Sequence, residues 1–129
     1  MKSLLRIATL AGLLSLAVSL RAQADTAPKS VIHVVTVAWK DGTTAEQIQA
    51  ALDGVKTLAA SYSGIKHVWI RSIKVQNPPG AQVQKSHAFV MEFADEAALK
   101  AYTDSDAQKA WYKLYLPIRQ QSTTYDITN

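Results

Sequence analysis

Along the chain the apolar positions change period several times, and each change marks an element. Residues 31–40 (VIHVVTVAWK) form the densest β-branched run, which predicts a strand. One side carries Val31, His33, Val35, Val37 and Trp39, the other Ile32, Val34, Thr36, Ala38 and Lys40. Both sides are largely apolar, so this strand is expected to be covered on both faces. Asp41-Gly42 predicts a turn, and Thr43 with Glu46 three residues on reads as a capping box. Ile48, Ala51, Leu52, Val55, Leu58 and Ala59 then recur at helical spacing. Gly54 lies inside that helix, which weakens it by up to about 1 kcal/mol, and its small size would allow close packing on a sheet. Ser61 to Gly64 closes the helix.

Residues 65–75 (IKHVWIRSIKV) alternate unevenly and predict a second strand; residues 76–85, with Pro78-Pro79-Gly80, predict an exposed loop. Ser86 to Phe93 predicts a third strand with His87, Phe89, Met91 and Phe93 on one side. Asp95 to Tyr102 reads as a helix with acids in its first turn, where the helix dipole favours them. Thr103 to Asp106 interrupts it, and Asp106 would cap a further helix with Trp111, Leu114 and Tyr115 inward and Pro117 at or past its end. Thr123 to Thr128 predicts a short last strand. The order is β-α-β-β-α-β, an α+β, ferredoxin-like plan with a four-stranded antiparallel sheet. Helices cover one face of such a sheet. The apolar second face calls for a partner, most economically a second copy packed face to face as a homodimer; the alternative is that the C-terminal segment folds over it.

Composition adds limits. The chain has 129 residues, a formal charge of +4 and no Cys, with a pI near 9.4. Lys2, Arg6 and Arg21 account for most of that charge; beyond residue 24 there are 11 basic and 10 acidic residues. Without basic clusters, nucleic acid is not an expected partner. The missing Cys excludes a disulfide scaffold, a thiolate zinc site and a Cys nucleophile. Residues 1–24 read as a cleavable signal peptide: basic Lys2 and Arg6, an apolar stretch from Ile7 to Leu20, and Ala22-Gln23-Ala24 before the cut. The protein is then expected to be periplasmic or secreted, with no membrane anchor after cleavage. Asp25 to Ser30 would be a flexible lead, and one domain would fill residues 31–128.

The ordered set of VIHVVTVAWKDG, TTAEQI, Ser63-Gly64-Ile65, HAFVMEF with DEAALKAY, and Tyr125-Asp126-Ile127 resembles the stress-responsive α/β-barrel (Dabb) domain. The resemblance implies a homodimeric α/β barrel, a stress-related role, and a cavity between sheet and helices for a small, partly apolar or aromatic ligand. Its lining would include His33, Val35, His87, Phe89, Tyr102, Gln108 and Trp111. Some relatives are polyketide cyclases working without metal or organic cofactor, so neither is expected here. His33, His87 and Tyr102 match their polar positions and are the candidate catalytic residues. Where such cyclases carry an acid/base His, this chain has Gln108, which cannot shuttle a proton near neutral pH; Arg71 also replaces a small residue. That favours ligand binding over turnover, the alternative being a cyclase-like or monooxygenase-like enzyme using His33 with Tyr102 or His87. Haem-degrading relatives share the fold plan but have no motif here.

His33 lacks an acid nearby in sequence to set its tautomer, so a buried, hydrogen-bonded structural His is the simpler role. His67 beside Lys66 is expected to face solvent. The three His fall on separate strands without metal-ligand spacing, so no metal site is expected. Trp39, Trp69, Trp111, Tyr112 and Tyr115 read chiefly as packing aromatics. Arg71 and Lys74 read as solvated cations that could meet an anionic group, and Asp95, Glu96, Asp104 and Asp106 as helix-start acids.

Overall fold

The computed structural model describes residues 29–74, 76 and 83–128. The expected signal peptide, most of the lead, Val75 and Pro78-Pro79-Gly80 lie outside them.

The β-branched run becomes β1, Val31–Trp39. Gly42, at φ 79°, makes the turn that follows, a conformation that glycine adopts without a Cβ clash. Helix α1 spans Ala45–Ser61 and is capped by Thr44 with Gln47, one residue later than the predicted Thr43–Glu46 pair. The reason lies in Thr43: its hydroxyl donates backward to the Lys40 carbonyl at 2.7 Å and closes the turn instead. The buried stripe of α1 is Ala51, Leu52, Val55 and Leu58. Strand β2, Ile65–Ser72, ends earlier than predicted, and β3 is His87–Phe93. Helix α2, Glu96–Tyr102, has Asp95 as its cap. Helix α3, Asp106–Tyr115, is capped by Ser105, not Asp106. It buries Trp111 and Tyr115, whereas Leu114 is 48% exposed. Strand β4 runs Arg119–Ile127, four residues longer at its start than predicted.

The sheet order is β2-β3-β1-β4, with all adjacent pairs antiparallel. This is the ferredoxin-like α+β fold. On the helix side, Val31 faces Phe93, Val35 faces Phe89, and Val37 faces His87. The helices bury Val35, Val37, Phe89, Met91 and Phe93 against Val55, Leu58 and Trp111, the main apolar burial in the domain. Gly54 packs against α3, not against the sheet: a Cβ there would lie 2.7 Å from Trp111 Cδ1.

The other face carries Ile32 and Val34 of β1, paired with Ile127 and Tyr125 of β4, and Trp69 of β2 paired with Val90 of β3. Trp69, Tyr125 and Ile127 are exposed. The C-terminal segment does not cover this face, because it is β4, hydrogen-bonded at the sheet edge beside β1. Among the described residues, one chain covers one face of its sheet.

Candidate functional site

Strand β4 extends the sheet beyond the shelter of α1, leaving a cavity of about 540 Å³ between β1, β3 and β4 on one side and α2 and α3 on the other. Val35, Phe89, Met91 and Trp111 supply its apolar wall, and His33, Tyr102, Gln108, Arg119, Ser122 and Asp126 its polar groups. Its size and mixed lining suit a small ligand.

Antiparallel pairing sets His33 directly opposite Asp126. Their side chains meet at 2.6 Å, Nδ1 to Oδ1. An ionised carboxylate only accepts, so Nδ1 carries the proton and Nε2 is the nitrogen left for a bound molecule. The His33 side chain is 14% exposed and Asp126 43%, which places the imidazole in the wall and the carboxylate toward the mouth. Phe93 and Tyr102 hold the imidazole edge-on, with ring centroids 5.8 and 6.3 Å away.

Tyr102 is buried at the end of α2. Burial pushes its hydroxyl well above the usual phenol range, while a hydrogen bond with Gln108 works in the opposite direction. Gln108 Oε1 accepts the backbone N–H of Asp104 at 2.8 Å, which leaves its NH₂ as the group available to Tyr102. Gln108 thereby joins the turn at Asp104, where φ is 65°, to the tyrosine. With the phenol held protonated, Tyr102 is a neutral hydrogen-bond donor, not a base.

Of the residues expected to line a cavity, His33, Val35, Phe89, Tyr102, Gln108 and Trp111 are brought together here. His87 is not. It lies on the far side of Trp39, whose Nε1–H donates to His87 Nδ1 at 3.0 Å, and it borders a separate cleft between α1 and β2. Its distance along β3 explains this: His87 pairs with Val37, and His33 with Met91, four residues away at the other end of the strand. Burial lowers the His87 pKa. His67 is solvent-facing and bonds Glu92 across the strands at 2.6 Å, which lowers the Glu92 pKa together with a bond from Ser30. Among the described residues, no three His, Asp or Glu side chains gather as a metal site would need. Trp39 and Trp111 pack in the core, while Trp69 stands on the open sheet face. Arg71 and Lys74 are exposed; Arg71 donates to the Ile70 carbonyl at 2.7 Å. Asp95 caps α2, and Glu96 and Asp106 sit in helix first turns.

Arg119, Ser122 and Asp126 also line this site without being expected there from the sequence; the one that partners His33 is Asp126. Its signal was present as the acid of Tyr125-Asp126-Ile127 at the cavity-facing phase of β4, but only the strand register shows that it meets His33.

No curated protein matches the chain. Solved structures share its fold. A dimeric ferredoxin-like protein of unknown function from Thermobifida fusca is 17% identical, with a TM-score of 0.63 over 78% of this chain and 91% of that one. A Dabb family protein from Mesorhizobium loti is 21% identical, with a TM-score of 0.62 over 78% and 96%. A hydroxynitrile lyase from Passiflora edulis is 16% identical, with a TM-score of 0.64 over 78% and 93%. Residues 31–129 match the model of the stress responsive A/B barrel domain, and the chain belongs to that family, Dabb.

Proposed function

We propose that the protein is an exported homodimer that binds a small, partly apolar molecule in the cavity between its sheet and helices α2 and α3, and performs cofactor-independent acid–base chemistry on it. The observation that carries the catalytic reading is the 2.6 Å bond between His33 and Asp126 at the cavity wall. It supplies the carboxylate partner that a general base needs to fix its tautomer. His33 Nε2 takes a proton from a substrate hydroxyl or from a carbon next to a carbonyl. Tyr102 donates a hydrogen bond to the oxygen on which charge develops. Such proton transfer suits carbon–carbon bond formation or cleavage beside an oxygen, the class to which the hydroxynitrile lyase from Passiflora edulis belongs by name.

Dimer formation draws support from the apolar outer face around Trp69, Tyr125 and Ile127 and from the dimeric description of a structural neighbour. Export rests on residues 1–24, and a stress role on the family's description. A second reading, ligand binding in stress tolerance without turnover, is favoured by Gln108, whose amide braces Tyr102 where an acid/base His would stand.

The test is cleavage of aromatic cyanohydrins and β-hydroxy ketones by the purified protein. Turnover is expected, with kcat reduced about 100-fold or more in His33→Gln. No turnover with any of these substrates would leave the binding reading; turnover unchanged in His33→Gln would overturn the role of His33.

A further inference from the structure

The end of the cavity away from His33 holds a cluster that acid–base chemistry does not use. On β4 the side chains facing the cavity are Asp126, Thr124 and Ser122, at the two-residue spacing of a strand. Continued alternation would bring Gln120 inward. Instead the register shifts between Ala38 and Trp39, so that Ala38 pairs with Gln121 and Trp39 with Arg119. The extra residue re-aims the strand, and Arg119 enters the lining. Its guanidinium lies 5.5 Å from the centre of the Tyr115 ring, and Arg119 Nη1 is 3.5 Å from Ser122 Oγ.

Tyr115 supplies the second observation. Its hydroxyl is buried and has no hydrogen-bond partner in normal geometry among the described residues, while the residue as a whole is 3% exposed. Ser122 and Arg119 are near enough to offset part of the burial that raises its pKa, yet neither closes a bond. Buried hydroxyls are rarely left unpaired, and one against a cavity wall points to a ligand atom as its partner. A guanidinium and the Ser122 hydroxyl at the wall of a half-sheltered pocket, backed by the buried Tyr115 hydroxyl, match a carboxylate, which accepts from such donors.

We infer that Arg119, Tyr115 and Ser122 form an anion-holding subsite, and that the molecule taken up is an amphiphilic carboxylate. Its head sits at Arg119, its apolar body lies along Phe89 and Trp111, and its far end reaches His33. Ser122 and Asp126 are four strand residues apart, on the order of 13 Å, which sets the span. The inference deepens the proposed use of this cavity and rests on it for location, but not for chemistry.

Calorimetric binding of 4-phenylbutanoate and of its uncharged primary amide to the purified protein tests it. The carboxylate is expected to bind at least tenfold more tightly, the preference shrinking with added salt and disappearing in Arg119→Gln. Tyr115→Phe should weaken carboxylate binding severalfold without lowering Tm, because it removes an unpaired hydroxyl and little packing. His33→Gln should leave the preference intact, which separates the subsite from the catalytic proposal. Equal affinity for acid and amide, no binding of either, or an unchanged preference in Arg119→Gln would overturn the subsite, even if a His33-dependent turnover were found. An Arg119-dependent preference without any turnover would uphold it and remove the enzyme.

Discussion

Replacing Gly54 by Ala should destabilise this protein, against the usual sign for a glycine inside a helix. By helix propensity alone the change would gain up to about 1 kcal/mol. The added Cβ, however, would stand 2.7 Å from Trp111 Cδ1 and 3.3 Å from Leu114 Cδ1. Leu114 is half exposed and can swing away. Trp111 cannot: its Nε1–H donates to the Ala51 carbonyl at 2.9 Å, and its ring is stacked on Tyr115 at 4.4 Å. Relieving the clash means parting α1 from α3 or tilting that ring. Overpacking of this kind costs about 1–3 kcal/mol, and a strained buried hydrogen bond about 1 more. Against the propensity gain, the net is a loss of roughly 1–3 kcal/mol, or about 5–20 °C in Tm for a domain of this size. Thermal melts at fixed protein concentration would measure it, because a dimer's Tm moves with concentration. Thr57→Ala, on the exposed side of the same helix, is the control, expected within about 0.5 kcal/mol of the parent. A Tm for Gly54→Ala equal to or above the parent would refute the reasoning.

Asp126→Asn should lower kcat about 100-fold or more with little change in KM, since an amide can also donate to Nδ1 and admit the wrong tautomer; Asp126→Glu should recover part of the rate, and a loss confined to KM would contradict a positioning role. His87 has its pKa lowered by burial, so the unfolded chain binds its proton first. Stability should therefore fall as pH drops through about 6.5, and His87→Gln should flatten urea-measured stability between pH 7 and 5. Loss from the depressed carboxyls of Asp53 and Glu92 falls lower, below about pH 4.5, so an unchanged upper slope in His87→Gln would remove His87 as the cause. Trp69→Glu combined with Tyr125→Glu, both on the open sheet face, should convert a dimer to a monomer in light scattering; an unaltered mass would place the interface elsewhere.

The parts of the fold legible in the sequence are those where burial alone sets the pattern. β1 is apolar because it is central, flanked by β3 and β4, and the α1 stripe is apolar because it packs on that sheet. The sequence pattern predicts β4 too short for a matching reason. Residues 119–122 (RQQS) have no β-branched member, since the strand lies at the sheet edge with solvent on one side and a cavity on the other. Its hydrogen bonds to β1 make it a strand where propensity does not. Leu114 misled in the opposite sense: α3 is held by Trp111 and Tyr115, one turn apart, and the close approach of Gly54 sets its rotation, which leaves Leu114 outward.

The same distinction governs the site. His33, Val35, Phe89, Tyr102, Gln108 and Trp111 could be named in advance through the family resemblance, since each stands on an element whose phase the apolar pattern defines. Asp126 and Arg119 could not, because both depend on register between strands 80 or more residues apart in the chain. For Asp126 that register is the regular antiparallel one; for Arg119 it is a one-residue bulge that no local composition announces. A one-residue slip of β4 along β1 would turn Asp126 to the other face of the sheet, because the side-chain period of a strand is two. Gln108 shows what such long-range geometry changes in interpretation. Taken alone, it marks the absence of an acid/base His. In place, its carbonyl oxygen is engaged by Asp104 and its amide is turned to Tyr102, while the carboxylate that a basic His33 requires comes from the opposite side of the cavity. The acid–base role proposed for this pocket therefore depends on the β1–β4 pairing, and a change that slips β4 by one residue would remove it without touching His33.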